Sequence, residues 1–330
     1  MIDLNNPEVM FAFSAVQQAG LLVKQVQSEM VSSALTKDDR SPVTVADYAS
    51  QALIAQRLFE AFPNDPLVGE EDATELRKPE TRSVLEQVTR FVSQYTPNAT
   101  PETVCEWIDR GNADPAHRFW TLDPIDGTKG FLRGDQYAVA LALIVGGKVQ
   151  IGVLGCPNLN NAYRPNPDGP GSLIIAVRGK GTWTTPLTAE GSYEPLSVSG
   201  LRDASQARLL RSFESGHTNA GQIDEFARVL GVEAEPVRMD SQGKYGVLAA
   251  GKGELLLRLL SPAKPNYKEK IWDQAAGSLV IEEAGGKITD LHGKTLDFNA
   301  GKTLANNRGI LASNASLHEQ ALKALRRIAA

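Results

Sequence analysis

Cysteine and histidine are scarce in this sequence of 330 residues, which contains two cysteines and four histidines. Two cysteines cannot form the set of disulfides that stabilises small secreted domains, so we expect a reducing compartment. The sequence contains no paired-cysteine zinc spacing and no H-E-x-x-H motif, which argues against the common zinc sites. It also contains no G-x-S-x-G motif, the mark of one large class of serine hydrolases.

Long apolar runs and excess positive charge are also missing. No uninterrupted run approaches the ~18 apolar residues of a membrane span, and no basic and apolar leader is visible. We therefore expect a cytoplasmic protein without a membrane partner. The formal net charge of −5 argues against nucleic acid as the main partner. A polyanionic small molecule remains a possible ligand, because bound cations reverse the local field.

The apolar spacing predicts two halves of different type. Residues 1–194 combine helices with an antiparallel sheet and contain most of the candidate metal ligands, and residues 195–330 alternate strands with helices. The predicted helices cover residues 7–30, 44–62, 80–95, 220–230, 273–284 and 316–328. The predicted strands cover residues 119–122, 137–145, 149–156, 173–177, 182–185, 207–212, 255–260 and 309–312.

Two carboxylates stand three residues apart in the segment Trp120-Thr121-Leu122-Asp123-Pro124-Ile125-Asp126-Gly127-Thr128. Pro124 prevents a regular helix, so we predict that Asp123 and Asp126 point out of one turn at the mouth of a sheet. Mg²⁺ prefers such oxygen ligands and leaves positions for water and phosphate. The backbone N–H groups of Gly127 and Thr128 would then face that phosphate. The alternative is an ordinary Asp-Pro turn with a capping aspartate.

Three further acidic residues favour the metal interpretation. Glu70 lies in V-G-E-E-D, Asp47 in S-P-V-T-V-A-D, and Asp273 in I-W-D-Q-A-A-G. Together with D-P-I-D-G-T they resemble the inositol monophosphatase-like superfamily of Mg²⁺-dependent, Li⁺-sensitive phosphatases, over nearly the whole chain. The resemblance implies an α+β or α/β fold, a layered α-β-α-β-α sandwich with the site between its halves.

The resemblance also implies a ligand set for two or three Mg²⁺ ions. Glu70, Asp123 and the carbonyl of Ile125 would hold one ion, and Asp123, Asp126 and Asp273 the second. Glu70 and Asp47 would place a third with its water, and Thr128, hydrogen-bonded to Asp47, would orient or deprotonate the attacking water. Lys37 matches a loop lysine near the third ion, although a solvated lysine is the alternative. Inhibition by Li⁺, and by Na⁺ as well, follows from the same resemblance.

Three segments resemble the 3′(2′),5′-bisphosphate nucleotidase branch of this superfamily. They are Lys129-Gly130-Phe131-Leu132-Arg133-Gly134, then Ser212 to His217, and Met239 to Gly246 with Arg258 beyond it. A nucleotide bisphosphate needs donors for a second phosphate, and the predicted ones are Ser241, Lys244 and Arg258. We expect His217 to contact the ribose or the base.

The expected function is hydrolysis of the 3′-phosphate of adenosine 3′,5′-bisphosphate to AMP, with its sulfated relative as a further substrate. The alternative is an inositol (poly)phosphate phosphatase that uses the same metals. A catalytically silent nucleotide-binding protein is a remote alternative, because the catalytic acids and Thr128 are all present. The sequence leaves a monomer and a dimer open.

Overall fold

The computed structural model describes residues 5–31, 41–188, 192–213, 220–261 and 263–328. Its helices are α1 (Pro7–Met30), α2 (Ser41–Ala61), α3 (Arg82–Ser93), α4 (Pro101–Asp109), α5 (Thr128–Arg133), α6 (Ala220–Leu230), α7 (Gly243–Ala249), α8 (Ala275–Glu283) and α9 (His318–Arg327). Its strands are β1 (Leu67–Gly69), β2 (Arg118–Asp126), β3 (Ala138–Val145), β4 (Lys148–Cys156), β5 (Leu159–Asn160), β6 (Arg164–Pro165), β7 (Ser172–Val177), β8 (Gly181–Pro186), β9 (Glu194–Leu196), β10 (Leu209–Arg211), β11 (Val237–Arg238), β12 (Leu255–Arg258), β13 (Lys287–Thr289) and β14 (Ile310–Ser313).

Two sheets form the frame of the protein. The larger has the strand order β1-β2-β3-β4-β7-β8-β9, in which only β1 and β2 run parallel. The smaller has the order β11-β10-β12-β14-β13 and mixes parallel and antiparallel pairs. The domain boundary predicted between residues 194 and 195 falls inside β9, and the division into two domains stays a prediction.

Helices cover both sheets and give five layers. Helices α1 and α2 pack on one face of the larger sheet, α7 and α8 lie between the two sheets, and α6 with α9 forms the outer layer on the smaller sheet. Three apolar clusters fill the spaces between these layers. Strand β3 is buried on both faces, which explains its continuous apolar sequence. The predicted α-β-α-β-α sandwich is confirmed.

Helix α1 is the helix, within the described ranges, that is long and apolar enough to cross a membrane by length and composition. This finding qualifies the expectation that no segment approaches a span. In its most apolar 18 residues the mean hydropathy is 1.2, and 61% of that window is buried inside the protein. The contacts of α1 with α2 and the larger sheet are those of a core helix.

The predicted helices and strands are mostly observed, but the prediction lacks the helices α4, α5 and α7 and the short strands β1, β5, β6, β9, β11 and β13. Helix α4 lies in a region that the sequence analysis leaves unassigned, although Thr100 and Thr103 form a capping box and Pro101 occupies the first turn. Helix α7 is short and buried, so it has no polar face to give a helical period. Helix α2 begins at Ser41, three residues before the predicted start.

His318 provides a pH-dependent contribution to stability. Its ring is fully buried, with Nδ1 2.8 Å from the Ser313 hydroxyl and Nε2 3.0 Å from the Thr289 hydroxyl. Burial lowers its pKa to about 4, with Lys287 adding to the effect and Glu319 opposing it. The unfolded chain therefore binds a proton near pH 6.5 that the folded protein takes up only near pH 4.

We expect the free energy of unfolding to fall by about 2–3 kcal/mol between pH 7 and pH 4 on account of this group, less than the full pKa difference because the folded ring is only half protonated at pH 4. His318→Gln, which cannot ionise there, should remove this part of the pH dependence of the free energy of unfolding. Urea denaturation at several pH values measures it. The exposed His292→Gln is the control and should keep it. Identical slopes for His318→Gln and the parent protein would contradict the assignment.

Candidate active site

The end of strand β2 brings Asp123 and Asp126 to one cavity of about 360 Å³. The pairing with β3 shifts between them, so that Asp123 lies opposite Ala140 and Asp126 opposite Ala138. This bulge places an extra residue in β2, and Pro124 suits it because proline cannot donate a ladder hydrogen bond. The structure thus corrects the predicted turn, because the segment is a bulged strand end.

Strand β1 places Glu70 beside Asp123. Gly69, the last residue of β1, lies opposite Leu122 in parallel pairing, so both chains enter the cavity next to each other. The carboxyl groups of Glu70 and Asp123 lie close enough for each to act on the pKa of the other. Glu70 and Asp123 are distant in sequence, and they are neighbours in the structure because the strands that precede them are adjacent in the sheet.

Asp273 reaches the same cavity from the turn before α8. The helix begins at Ala275, two residues later than predicted. The Oδ2 atom of Asp273 lies 3.7 Å from Nη2 of Arg258.

Burial raises the pKa of four of the five acids that line the cavity, and the charge of a neighbouring carboxylate adds to each shift. For Asp123 burial has the largest effect, followed by the charges of Glu70 and Asp126. Burial also raises the pKa of Asp126, although the positive charges of Lys244 and Arg258 lower it. Burial raises the pKa of Glu70 as well, and the charge of Asp126 raises it further. The pKa of Asp273 is raised by burial in spite of the nearby Arg258.

The donor set fits hard divalent cations. Four carboxylates that share one cavity, with Asp123 buried among them, are stabilised in their ionised form by a dication, and the carbonyl-bearing Ile125 lines the same cavity. Among the described residues, no group of three or more acidic, histidine or cysteine side chains converges as a preformed metal cage. The chemistry of the ligands therefore fits Mg²⁺, whereas the number of ions and the individual ligand roles stay predictions.

Asp47 and Thr128 approach the acids from two helices. Asp47 is buried in α2, where burial and the charges of Glu71 and Glu70 raise its pKa well above the ordinary value. Burial together with Glu70 raises the pKa of Glu71 to about 7. Thr128 begins α5 and lines the cavity. The structure, in the part of the chain it describes, has no hydrogen bond between Thr128 and Asp47, and their catalytic roles stay predictions.

A tight contact joins the Asp126 segment to the loop at Ser241. Gly127 has a φ of +94°, and a Cβ atom there would lie 2.8 Å from Cβ of Ser241. Ser241 itself has a φ of +67°, a conformation that is uncommon for residues other than glycine. The turn lets the backbone N–H of Gln242 donate to the carboxylate of Asp126. The predicted substrate residues Gly127 and Ser241 are therefore direct neighbours of a predicted metal ligand.

Lys244 and Arg258 supply positive charge to the cavity and lie close enough for their charges to interact. The Nζ atom of Lys244 donates a 3.0 Å hydrogen bond to the Ser212 hydroxyl, and burial lowers the pKa of this lysine to about 8. Arg258 has an anionic partner within the protein, since its Nε lies 2.9 Å from a carboxylate oxygen of the buried Glu269.

Some cavity residues are absent from the sequence prediction, namely Arg211, Ile223, Gln242, Tyr267 and Lys270. Lys270 precedes Ile271-Trp272-Asp273, and its charge acts on Glu70. The neighbouring W-D motif was the sequence signal from which Lys270 could have been predicted to line the cavity. Arg211 and Ile223 come from β10 and α6; the signal for Arg211 was its position directly before the segment Ser212 to His217, whereas nothing in the sequence around Ile223 indicates the cavity. His217 and Lys37 lie outside the described residues.

Comparison with known proteins gives the family. The model of the inositol monophosphatase family matches residues 5–330. The chain belongs to the inositol monophosphatase family. This family is generally Mg²⁺-dependent and Li⁺-sensitive.

Relatives with higher identity fall in one branch of the family. The chain is 39% identical to a 3′(2′),5′-bisphosphate nucleotidase of Emericella nidulans, over 95% of this chain and 96% of that protein. It is 41% identical to the nucleotidase of the same name from Schizosaccharomyces pombe (96% and 94% covered) and 42% identical to one from Oryza sativa (96% and 93%). The predicted family and branch are confirmed.

Solved structures with the same fold are more distant in sequence. SuhB of Mycobacterium tuberculosis superimposes with a TM-score of 0.63 at 22% identity, over 97% of this chain and 96% of that one. An inositol monophosphatase of Anabaena gives a TM-score of 0.63 at 19% identity, over 97% and 94%. These similarities show the fold.

Proposed function

We propose that this protein is an Mg²⁺-dependent phosphatase that hydrolyses the 3′-phosphate of adenosine 3′,5′-bisphosphate to AMP. Its relatives at about 40% identity are named 3′(2′),5′-bisphosphate nucleotidases. The names support the reaction class, and the cavity supports the type of substrate.

The mixed lining of the cavity is the observation that carries the proposal. The four acids described above suit cations and a phosphate ester. The same cavity is also lined by the cations Lys244 and Arg258 and by the apolar side chains Leu210, Ile223 and Leu257. A second phosphate and a purine base need such a combination of positive charge and apolar surface, whereas an inositol ring is polar all round.

Hydrolysis transfers the phosphoryl group from the 3′-oxygen to water. The water oxygen forms a bond to phosphorus, the bond from phosphorus to the 3′-oxygen breaks, and that oxygen takes a proton. We assign the positioning of the water to Thr128 and Asp47. Glu70, Asp123, the carbonyl of Ile125, Asp126 and Asp273 would hold two or three Mg²⁺ ions. When bound, these ions would neutralise charge on phosphate and lower the pKa of water.

The remaining contacts orient the substrate. The backbone N–H groups of Gly127 and Thr128 would donate to the scissile phosphate, while Ser241, Lys244 and Arg258 would provide donors and positive charge for the second phosphate. His217 would contact the ribose or the base. The sulfated relative of the substrate, 3′-phosphoadenosine 5′-phosphosulfate, has the same 3′-phosphate and is a further proposed substrate.

Inhibition by Li⁺, and by Na⁺ as well, follows if a monovalent ion takes one of the metal positions. We place the enzyme in the cytoplasm, since both Cys105 and Cys156 are free and buried, which suits a reducing compartment.

The first test is phosphate release from adenosine 3′,5′-bisphosphate and inositol 1-phosphate in parallel, with Mg²⁺, with and without Li⁺. We expect fast release from the nucleotide that Li⁺ blocks. Release from the inositol ester alone would keep the metal site and refute the substrate assignment. Release from neither would favour a silent binding protein.

Lys244→Ala should raise the KM for the bisphosphate by about 10- to 100-fold, because a hydrogen bond to a charged group is lost. The KM for inositol 1-phosphate, which has no second phosphate, should change by less than about threefold. Steady-state kinetics on both substrates measures the difference. The exposed Lys252→Ala is the control, and equal losses on both substrates would remove Lys244 as a specificity residue.

A further inference from the structure

Arg211 stands at the end of strand β10, beside Ser212, and lines the active-site cavity. Its side chain is 18% exposed. Its carbonyl accepts a 2.9 Å hydrogen bond from the N–H of Met239, which fixes the backbone at this point. The guanidinium is thus supplied by a strand of the smaller sheet, and a rigid strand places a ligand better than a loop does.

Two contacts connect the carboxylates to the segment that bears this arginine. Asp126 interacts electrostatically with Lys244. Lys244 donates to the hydroxyl of Ser212, the residue that follows Arg211 at the end of β10. Arg211 and Lys244 line the same cavity, together with Ile223 of α6. A ligand whose first phosphate lies at the carboxylates can therefore extend to Lys244 and Arg211 within one cavity.

The two cavity arginines differ in how firmly they are held. Arg258 is paired with Glu269, which is only 5% exposed, and breaking such a buried pair leaves a charge without compensation. Arg211 is paired at 2.7 Å with Asp224, which is 66% exposed and does not line the cavity. An exposed pair contributes little, and a released Asp224 is readily solvated. Arg211 is therefore the arginine that exchanges its carboxylate for a ligand at low cost.

We propose that Arg211 binds the phosphate of the nucleotide that is not hydrolysed, by exchanging Asp224 for the phosphate oxygens. This inference rests on the proposed function, since it requires a substrate with two phosphates. A guanidinium makes two parallel hydrogen bonds to phosphate, which Lys244 cannot do alone. Arg211 is a specificity-determining residue for substrates with two phosphates over those with one.

The test compares Arg211→Gln, Arg211→Lys and the parent enzyme on two nucleotides. We expect Arg211→Gln to raise the KM for adenosine 3′,5′-bisphosphate by about 10- to 100-fold with kcat within about threefold. The KM for adenosine 3′-monophosphate, which lacks the second phosphate, should stay within about twofold. Arg211→Lys should recover part of the loss. Arg228→Gln, an exposed arginine on α6, is the matched control.

Binding of AMP in metal-free buffer provides a readout apart from turnover. AMP carries the second phosphate but no scissile one, so calorimetry should show about 10- to 100-fold weaker binding to Arg211→Gln. Asp224→Asn should bind AMP as tightly as the parent or up to about threefold more tightly, because it frees the arginine.

Three results would each overturn the inference. Arg211→Gln could bind AMP as tightly as the parent, or it could raise the KM for both nucleotides equally. Asp224→Asn could also lose as much AMP affinity as Arg211→Gln does. A parent enzyme that hydrolyses the bisphosphate while Arg211→Gln does so equally well refutes the inference alone. A parent enzyme that neither hydrolyses the nucleotide nor binds AMP refutes the proposed function as well.

Discussion

Asp123→Asn is expected to lower kcat by at least about 10³-fold, equivalent to about 4 kcal/mol of transition-state stabilisation. Asp123 is buried between Glu70 and Asp126, and it is the proposed ligand common to two ions. An amide is isosteric but carries no charge, so it cannot replace a bridging carboxylate. Phosphate release from the bisphosphate at saturating Mg²⁺ measures the effect.

The same variant should separate metal binding from folding. Without metal, removal of one repelled carboxylate should leave the free energy of unfolding unchanged or raise it by about 1 kcal/mol. Mg²⁺ should raise the Tm of the parent protein by several degrees through linkage, and this rise should be mostly absent in the variant. Asp114→Asn, whose carboxylate is 95% exposed, serves as the control. Near-normal turnover in Asp123→Asn would refute the metal assignment.

Arg258→Met should lower the free energy of unfolding by about 3–5 kcal/mol, because it leaves a buried carboxylate without its cation. Glu269 is 5% exposed, and its Oε2 accepts hydrogen bonds from Arg258 and from the side chain of Gln274. The Tyr245 hydroxyl donates to that same glutamine, so the damage should spread into α7 and α8. Urea denaturation followed by tryptophan fluorescence measures the loss.

A double variant tests the reason for this loss. Arg258→Met combined with Glu269→Gln removes both charges, and we expect it to recover at least about half of the stability lost by Arg258→Met alone. The Arg228→Met control, with a side chain 75% exposed, should change stability by less than about 0.5 kcal/mol. If the double variant is as unstable as the sum of both single ones, the pair is not the source of the effect.

The residue types of the candidate metal site could be predicted from the sequence. Asp123 and Asp126 are spaced around a proline, and further acids follow β1 and precede α8. The resemblance based on these residues predicted the family and the five layers. These features can be predicted from the sequence because they depend on residues that are neighbours in it. Turn and strand signals act over a few positions, and a metal-binding motif keeps its residue types together.

The choice of distant partners was decided only by the tertiary structure. Arg258 within an apolar strand indicated that water or an anion must lie near it, but the sequence did not identify Glu269 as that partner. Likewise, the pairing of Arg211 with Asp224 depends on how α6 packs beside β10. Such contacts depend on the relative placement of whole elements, which long-range packing sets and local residue patterns do not encode. For this reason the sequence determined which chemistry is available, and the tertiary structure decided which cation is held and which can be exchanged.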